Sequence, residues 1–178
     1  MTASTDLKMT VYSSLCVALI AMGAFIAIPI GPVPIVLQNM FVLLAGLLLG
    51  PLWGLACVAV YLIIGLAGLP VFAGGTSGLG KLFGPTGGYL LGYLPCVYIT
   101  ASISKGLGKK LPFDILAMVT GSLIVYAAGV PWLKAVTGMS LEKALMAGMV
   151  PFLIGDALKI IAAAFIAKAL RPVIRFAD

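Results

Sequence analysis

The chain is a series of long apolar runs, and its charged residues fall almost entirely between them. The first run, Thr10 to Ile30, supplies about 20 mostly apolar residues, the length that crosses a bilayer as a helix. Hydrophobic residues make up 62% of the 178 and charged residues only 9%, with a mean hydropathy of +1.22. A soluble domain carries roughly 25% charged residues. A water-exposed surface as apolar as this one would associate and precipitate. The expected fold class is an all-α membrane protein, a compact bundle of six transmembrane helices.

The net charge of +6 does not mark a nucleic-acid surface. The basic residues sit in the turns between apolar runs, not along a stripe with interleaved aromatics. Histidine is absent, which excludes histidine catalysis and histidine metal sites. Cys16, Cys57 and Cys96 stand singly inside apolar segments, with no CxxC spacing, and read as small buried hydrophobes. Without paired acids or a cysteine–base constellation, no enzyme activity, metal or cofactor is expected.

Proline and glycine divide the chain. Spans are expected at about 10–30, 36–50, 52–67, 85–104, 113–136 and 145–170. Gly31-Pro32-Val33-Pro34 ends the first, and Gly50-Pro51 separates the second from the third. The passage from Gly68 to Gly88 is too glycine-rich for regular helix. The first run exceeds the roughly 7–15 residues of a signal-peptide core and is followed by further spans, so it reads as retained. Six spans put both termini on one side, with Lys8, Lys105, Lys109, Lys110, Lys168, Arg171 and Arg175. Only Lys81, Lys134 and Lys143 lie opposite. The positive-inside rule makes the first side cytoplasmic, so a substrate cavity opens to the outside. Residues 1–178 read as a single integral membrane domain.

Small residues recur four apart, at Gly46, Gly50 and Gly54, at Gly84, Gly88 and Gly92, and at Ser14 and Ala18. Such spacing lets helices approach closely, the main source of packing energy where lipid removes the hydrophobic drive. Most of these positions would pack the bundle itself. Ser14 and Ala18 are the candidate docking face for another membrane subunit.

The exceptional segment is Gly155-Asp156-Ala157-Leu158-Lys159. An acid and a base at i and i+3 share one helix face near the middle of an apolar span. At about 1.5 Å per residue, Asp156 lies about 15 Å deep. Each charge would cost about 2.5–3.5 kcal/mol facing lipid, so both must face the bundle interior. A salt bridge that merely pins two helices is a weak source of stability. A ligand or ion pathway is the better reading.

Gly75, Gly80 and Lys81 have the spacing of a phosphate-binding loop, but Leu82 stands where that loop needs Ser or Thr. No strand–helix context surrounds it, so power for uphill transport must come from elsewhere. What remains is a loop with exposed backbone donors, either a plain surface loop or a close-approaching ligand contact. Gly84-Pro85-Thr86-Gly87-Gly88-Tyr89 then enters the fourth span, whose positive helix end would face the cavity. Gln38 and Asn39 form the other unusual polar pair, able to cap a helix or line an interface. Trp53, Trp132 and the tyrosines suit interfacial belts or packing.

Four blocks now stand in order: Gly31-Pro32-Val33-Pro34-Ile35-Val36-Leu37-Gln38, Gly68-Leu69-Pro70-Val71-Phe72-Ala73-Gly74-Gly75, Gly84-Pro85-Thr86-Gly87-Gly88-Tyr89, and Gly155-Asp156 with Lys159. Over roughly residues 10–170 the chain resembles the biotin-specific substrate-binding subunits (S components) of energy-coupling-factor transporters, the BioY family. The resemblance implies a six-helix subunit of the bacterial cytoplasmic membrane that captures biotin from outside. Its partners would be a transmembrane coupling subunit and two cytosolic ATPase subunits.

The resemblance makes Asp156 and Lys159 ligand contacts, most naturally to the ureido ring. That ring offers two N–H donors to a carboxylate and a carbonyl to an ammonium. Gln38, Gly74, Gly75, Thr76 and Tyr89 complete the expected set, with Tyr89 as a wall of the apolar cavity. The tail carboxylate belongs near the glycine loop or the start of the fourth span. The reverse polarity, with Lys159 on the carboxylate, stays open. Thr76 departs from relatives with an amide after the double glycine, since a hydroxyl has less reach and no second donor. Two further readings share the architecture: an S component for another vitamin, and a solitary proton-coupled carrier with Asp156 and Lys159 as its relay.

Overall fold

The computed structural model describes residues 3–29, 31–172 and 174. Ile30, which closes the first expected span, and Arg175, one of the basic residues near the C-terminus, lie outside the described residues. The described chain is mostly helical.

Helix α1 (Ala3–Phe25) begins earlier and ends sooner than the hydropathy predicts. Beyond it the chain leaves the helix for a short antiparallel hairpin, β1 (Ala27–Ile28) with β2 (Ile35–Val36), Ala27 opposite Val36. Pro32 and Pro34 at its tip explain the change, since neither can donate within a helix. The Leu37 amide donates to the Gly23 carbonyl at 3.1 Å, folding the hairpin back on α1.

Helices α2 (Gln38–Leu49) and α3 (Pro51–Leu66) meet at one residue, Gly50, whose φ of 79° is a left-handed value. Glycine takes that conformation without a Cβ clash, and Pro51 then opens α3 where no N–H is needed. At about 1.5 Å per residue, the 12 residues of α2 reach only about 18 Å.

The loop after α3 is not wholly irregular, contrary to expectation: it carries a five-residue helix, α4 (Leu79–Phe83). Its glycine turn is pinned by Gly74 N–H to the Ala24 carbonyl at 3.1 Å and Gly78 N–H to the Gly65 carbonyl at 2.8 Å. Helix α5 (Gly87–Gly106) follows, starting two residues after Pro85, and α6 (Leu111–Thr137) packs along its length. The expected small residues permit this. Gly88 lies under Trp132, and a Cβ on Gly92 would stand 3.2 Å from Ala128 and Val125. Gly46 and Gly54 both close on Val97 of α5.

The last apolar stretch is broken, which the hydropathy does not reveal. Helix α7 (Leu141–Gly148) is capped by the Ser140 hydroxyl, accepting from the Lys143 amide at 3.3 Å. A 3-10 turn, Val150–Phe152, contains Pro151, and α8 (Leu153–Leu170) begins afresh. Among the described residues, three stretches are long and apolar enough to cross a membrane: Asp6–Phe25, Leu111–Thr137 and Leu141–Leu170. Large apolar side chains cover the exterior, among them Leu15, Ile63, Leu123, Ile154 and Phe165. Such a surface matches lipid, and the chain is a multi-pass membrane protein.

Candidate functional site

The break at Pro151 determines how the acid–base pair is presented. It places Asp156 in the first turn of α8, although the residue still lies near the middle of the apolar stretch. There the free N–H groups and the positive end of the helix dipole favour a carboxylate. Lys159 follows on the same face, its Nζ 3.0 Å from Asp156 Oδ1. Asp156 is 7% exposed and Lys159 8%, whereas Ile154 and Leu158 on the outer face are 80% and 65% exposed. The inward turn required by their insertion cost is what the helix adopts.

Two further residues complete the cluster. Asn39, in the first turn of α2, donates from Nδ2 to Asp156 Oδ1 at 2.8 Å and accepts from Lys159 Nζ at 3.1 Å. Its amide therefore bridges the acid and the base. Tyr126 of α6 donates its hydroxyl to Asp156 Oδ2. The carboxylate thus accepts from three donors, while Lys159 uses two of its three N–H groups within the cluster.

Beside this cluster lies a cavity of about 410 Å³, within the usual range of small-molecule sites. Asp156, Lys159, Gln38, Asn39, Gly74, Thr76 and Tyr89 all line it. Gly75 does not; a Cβ there would meet the ring of Phe25 at 3.1 Å. Thr76 spends its hydroxyl on the Ala73 carbonyl at 2.9 Å. Gln38 is 2% exposed, and its Nε2 has no partner among the described residues. An orphan donor of that kind costs about 1–3 kcal/mol, so it is poised for an acceptor. Tyr89 is seated between two glycines: its ring lies over Gly129 and its hydroxyl donates to the Gly148 carbonyl at 2.8 Å.

Lys81 of α4 also lines the cavity and forms no ion pair among the described residues. It belonged to the discounted phosphate-loop motif, and only its place beside the cavity makes it a site residue. Tyr126 was invisible in sequence, one tyrosine in an apolar helix. Ser14 and Ala18 lie away from the cavity on the exposed face of α1, with Val11, Leu15 and Leu19 around them. Cys16, Cys57 and Cys96 are buried free thiols. No group of metal-binding side chains occurs among the described residues.

The sequence model of the BioY family matches residues 1–176. The chain belongs to the BioY family. It is 40% identical over 158 residues to the probable biotin transporter BioY of Pyrococcus horikoshii, covering 89% of this chain and 93% of that protein. It is 38% identical over 167 residues to the biotin transporter BioY of Thermotoga maritima, covering 93% and 96%. A crystal structure of the S-component for biotin from an ECF-type ABC transporter superposes with a TM-score of 0.91. That match has 33% identity and covers 97% of this chain and 95% of the other. This BioY-family fold is that of a transporter subunit, not an enzyme.

Proposed function

We propose that this chain captures biotin as the S component of an energy-coupling-factor transporter. The observation that carries the reading is a cavity in a BioY-family fold with Asp156, Asn39 and Lys159 bound together in its wall. Neither another vitamin nor a solitary proton-coupled carrier is favoured by the relatives.

The charges around the cavity suggest which end of biotin goes where. Lys159 is already neutralised by Asp156, so that cluster suits a neutral, polar head. The urea N–H groups would donate to the carboxylate, and the remaining Lys159 proton to the urea carbonyl. Lys81, in no ion pair among the described residues, suits the anionic end of the tail, with Thr86 beside it in the lining. Gln38 Nε2 supplies a further donor. Tyr89 and its apolar neighbours pack the aliphatic tail, and Gly74 and Thr76 close the wall.

The whole chain acts as a single membrane domain of six spans: α1, α2, α3, α5, α6 and the broken α7–α8 stretch. Exposed Lys8, Lys105, Lys109, Lys110 and Lys168 support cytoplasmic termini and an outward-facing cavity. The membrane is the bacterial cytoplasmic membrane. The partners are a transmembrane coupling subunit, received at Ser14 and Ala18, and two cytosolic ATPases. Isothermal titration of the detergent-purified protein with a vitamin panel tests the central statement. Heat from biotin alone is expected; silence with biotin at micromolar concentration rejects it.

A further inference from the structure

A second buried ionic cluster lies outside the cavity lining. Asp114, in the first turn of α6, is 1% exposed and pairs in bidentate fashion with Arg171, which directly follows α8. The two bonds are Nη1 to Oδ2 at 2.6 Å and Nη2 to Oδ1 at 3.0 Å. Ser104 of α5 donates to Asp114 Oδ1 at 2.5 Å and accepts from Arg171 Nη2 at 3.1 Å. The same guanidinium reaches the Lys109 carbonyl at 2.7 Å and, at 3.4 Å, the Leu47 carbonyl near the end of α2. One side chain therefore ties the ends of α2, α5 and α8 to the start of α6.

Helices α2 and α8 run parallel, because Asn39 meets Asp156 and Leu47 meets Arg171. The buried face of α8 between those ties is nearly smooth. Beyond Ile160 it presents Ala163, Ala164 and Ala167. These small residues let α8 lie close against its neighbours, but their short methyl groups do little to favour one axial register over another. Sliding or turning α8 along α2 would nevertheless break the Asn39–Asp156–Lys159 bridge.

We infer that the Arg171–Asp114 pair sets the axial register of α8 and so presents Asp156 and Lys159 to Asn39 and the cavity. Arg171 is a positioning residue for ligand capture, acting from about 22 Å along the helix from Asp156. The consequence for affinity rests on the biotin reading of the site; the register itself does not.

The test removes both charges together, Arg171→Met with Asp114→Leu, because an unpaired buried charge would confound a single truncation. Nitroxide labels at exposed Leu158 on α8 and Leu123 on α6 report the register, and titration reports affinity for biotin. The expected result is a displaced or broadened distance distribution with biotin binding at least tenfold weaker than wild type. A distance distribution that superposes on wild type overturns the inference, as does wild-type affinity in the double variant. If the wild-type protein itself ignores biotin, the functional reading fails, and the distance measurement alone decides the register. Should the double variant not fold, Arg171→Lys keeps the charge and loses the fork. The same shift and weakened binding are expected there, and wild-type behaviour in both readouts overturns the inference.

Discussion

Asn39 Nδ2 donates to Asp156 Oδ1 at 2.8 Å across 117 residues of chain, and its carbonyl oxygen receives Lys159 Nζ. The acid and the base are thus not merely closed on each other; a helix from elsewhere in the chain holds them beside a cavity. A urea has the same alternation of donor and acceptor as that amide, which makes the cluster a reasonable counterpart for it.

Replacing Asp156 by Asn removes the charge and one acceptor while preserving shape. Biotin affinity should fall at least tenfold, about 1.4 kcal/mol, with the protein still folded. Titration beside a thermal unfolding curve measures both. Unchanged affinity would make the residue structural.

Lys81→Gln should weaken binding of biotin but leave its carboxamide derivative nearly unaffected, since only biotin carries the tail charge. Comparing the two ligands on both proteins reads the orientation. Equal losses for both would place the tail elsewhere and favour Lys159 as its partner.

Gly129→Val should force the Tyr89 ring out of its slot, because a Cβ at that position already overlaps it. Overpacking of this kind costs about 1–3 kcal/mol and should lower the melting temperature. Adding Tyr89→Ala to that variant should restore part of the loss. A melting temperature unmoved by Gly129→Val would show that the ring has room to turn aside.

Ser14→Trp and Ala18→Trp enlarge an exposed face of α1 without entering the core. Biotin binding should survive while co-purification with the coupling subunit drops severalfold. Intact assembly would locate the docking face on another helix.

Some of this molecule is written locally. Apolar runs interrupted by Gly50-Pro51 and by the lysine-rich turn announce membrane helices, because insertion cost and turn chemistry depend on neighbouring residues alone. The i, i+3 spacing of Asp156 and Lys159 likewise fixes a common face, and burial cost turns it inward. The small residues at Gly88 and Gly92 announce a close helix contact, though not which helix supplies it.

Tertiary structure decided the rest. That Asp156 opens a helix depends on the break at Pro151, which a hydropathy average smooths over. That Lys81 lines the cavity, and that Gly75 does not, depends on how one loop docks against α1 and α3. Asn39 and Tyr126 reach Asp156 from 117 and 30 residues away, and Asp114 finds Arg171 across 57. Sequence alone determined that charges within the bilayer must be paired and inward, since that follows from solvation. Which residues pair was settled only when the helices packed, because distance along the chain carries no information about neighbours across a bundle.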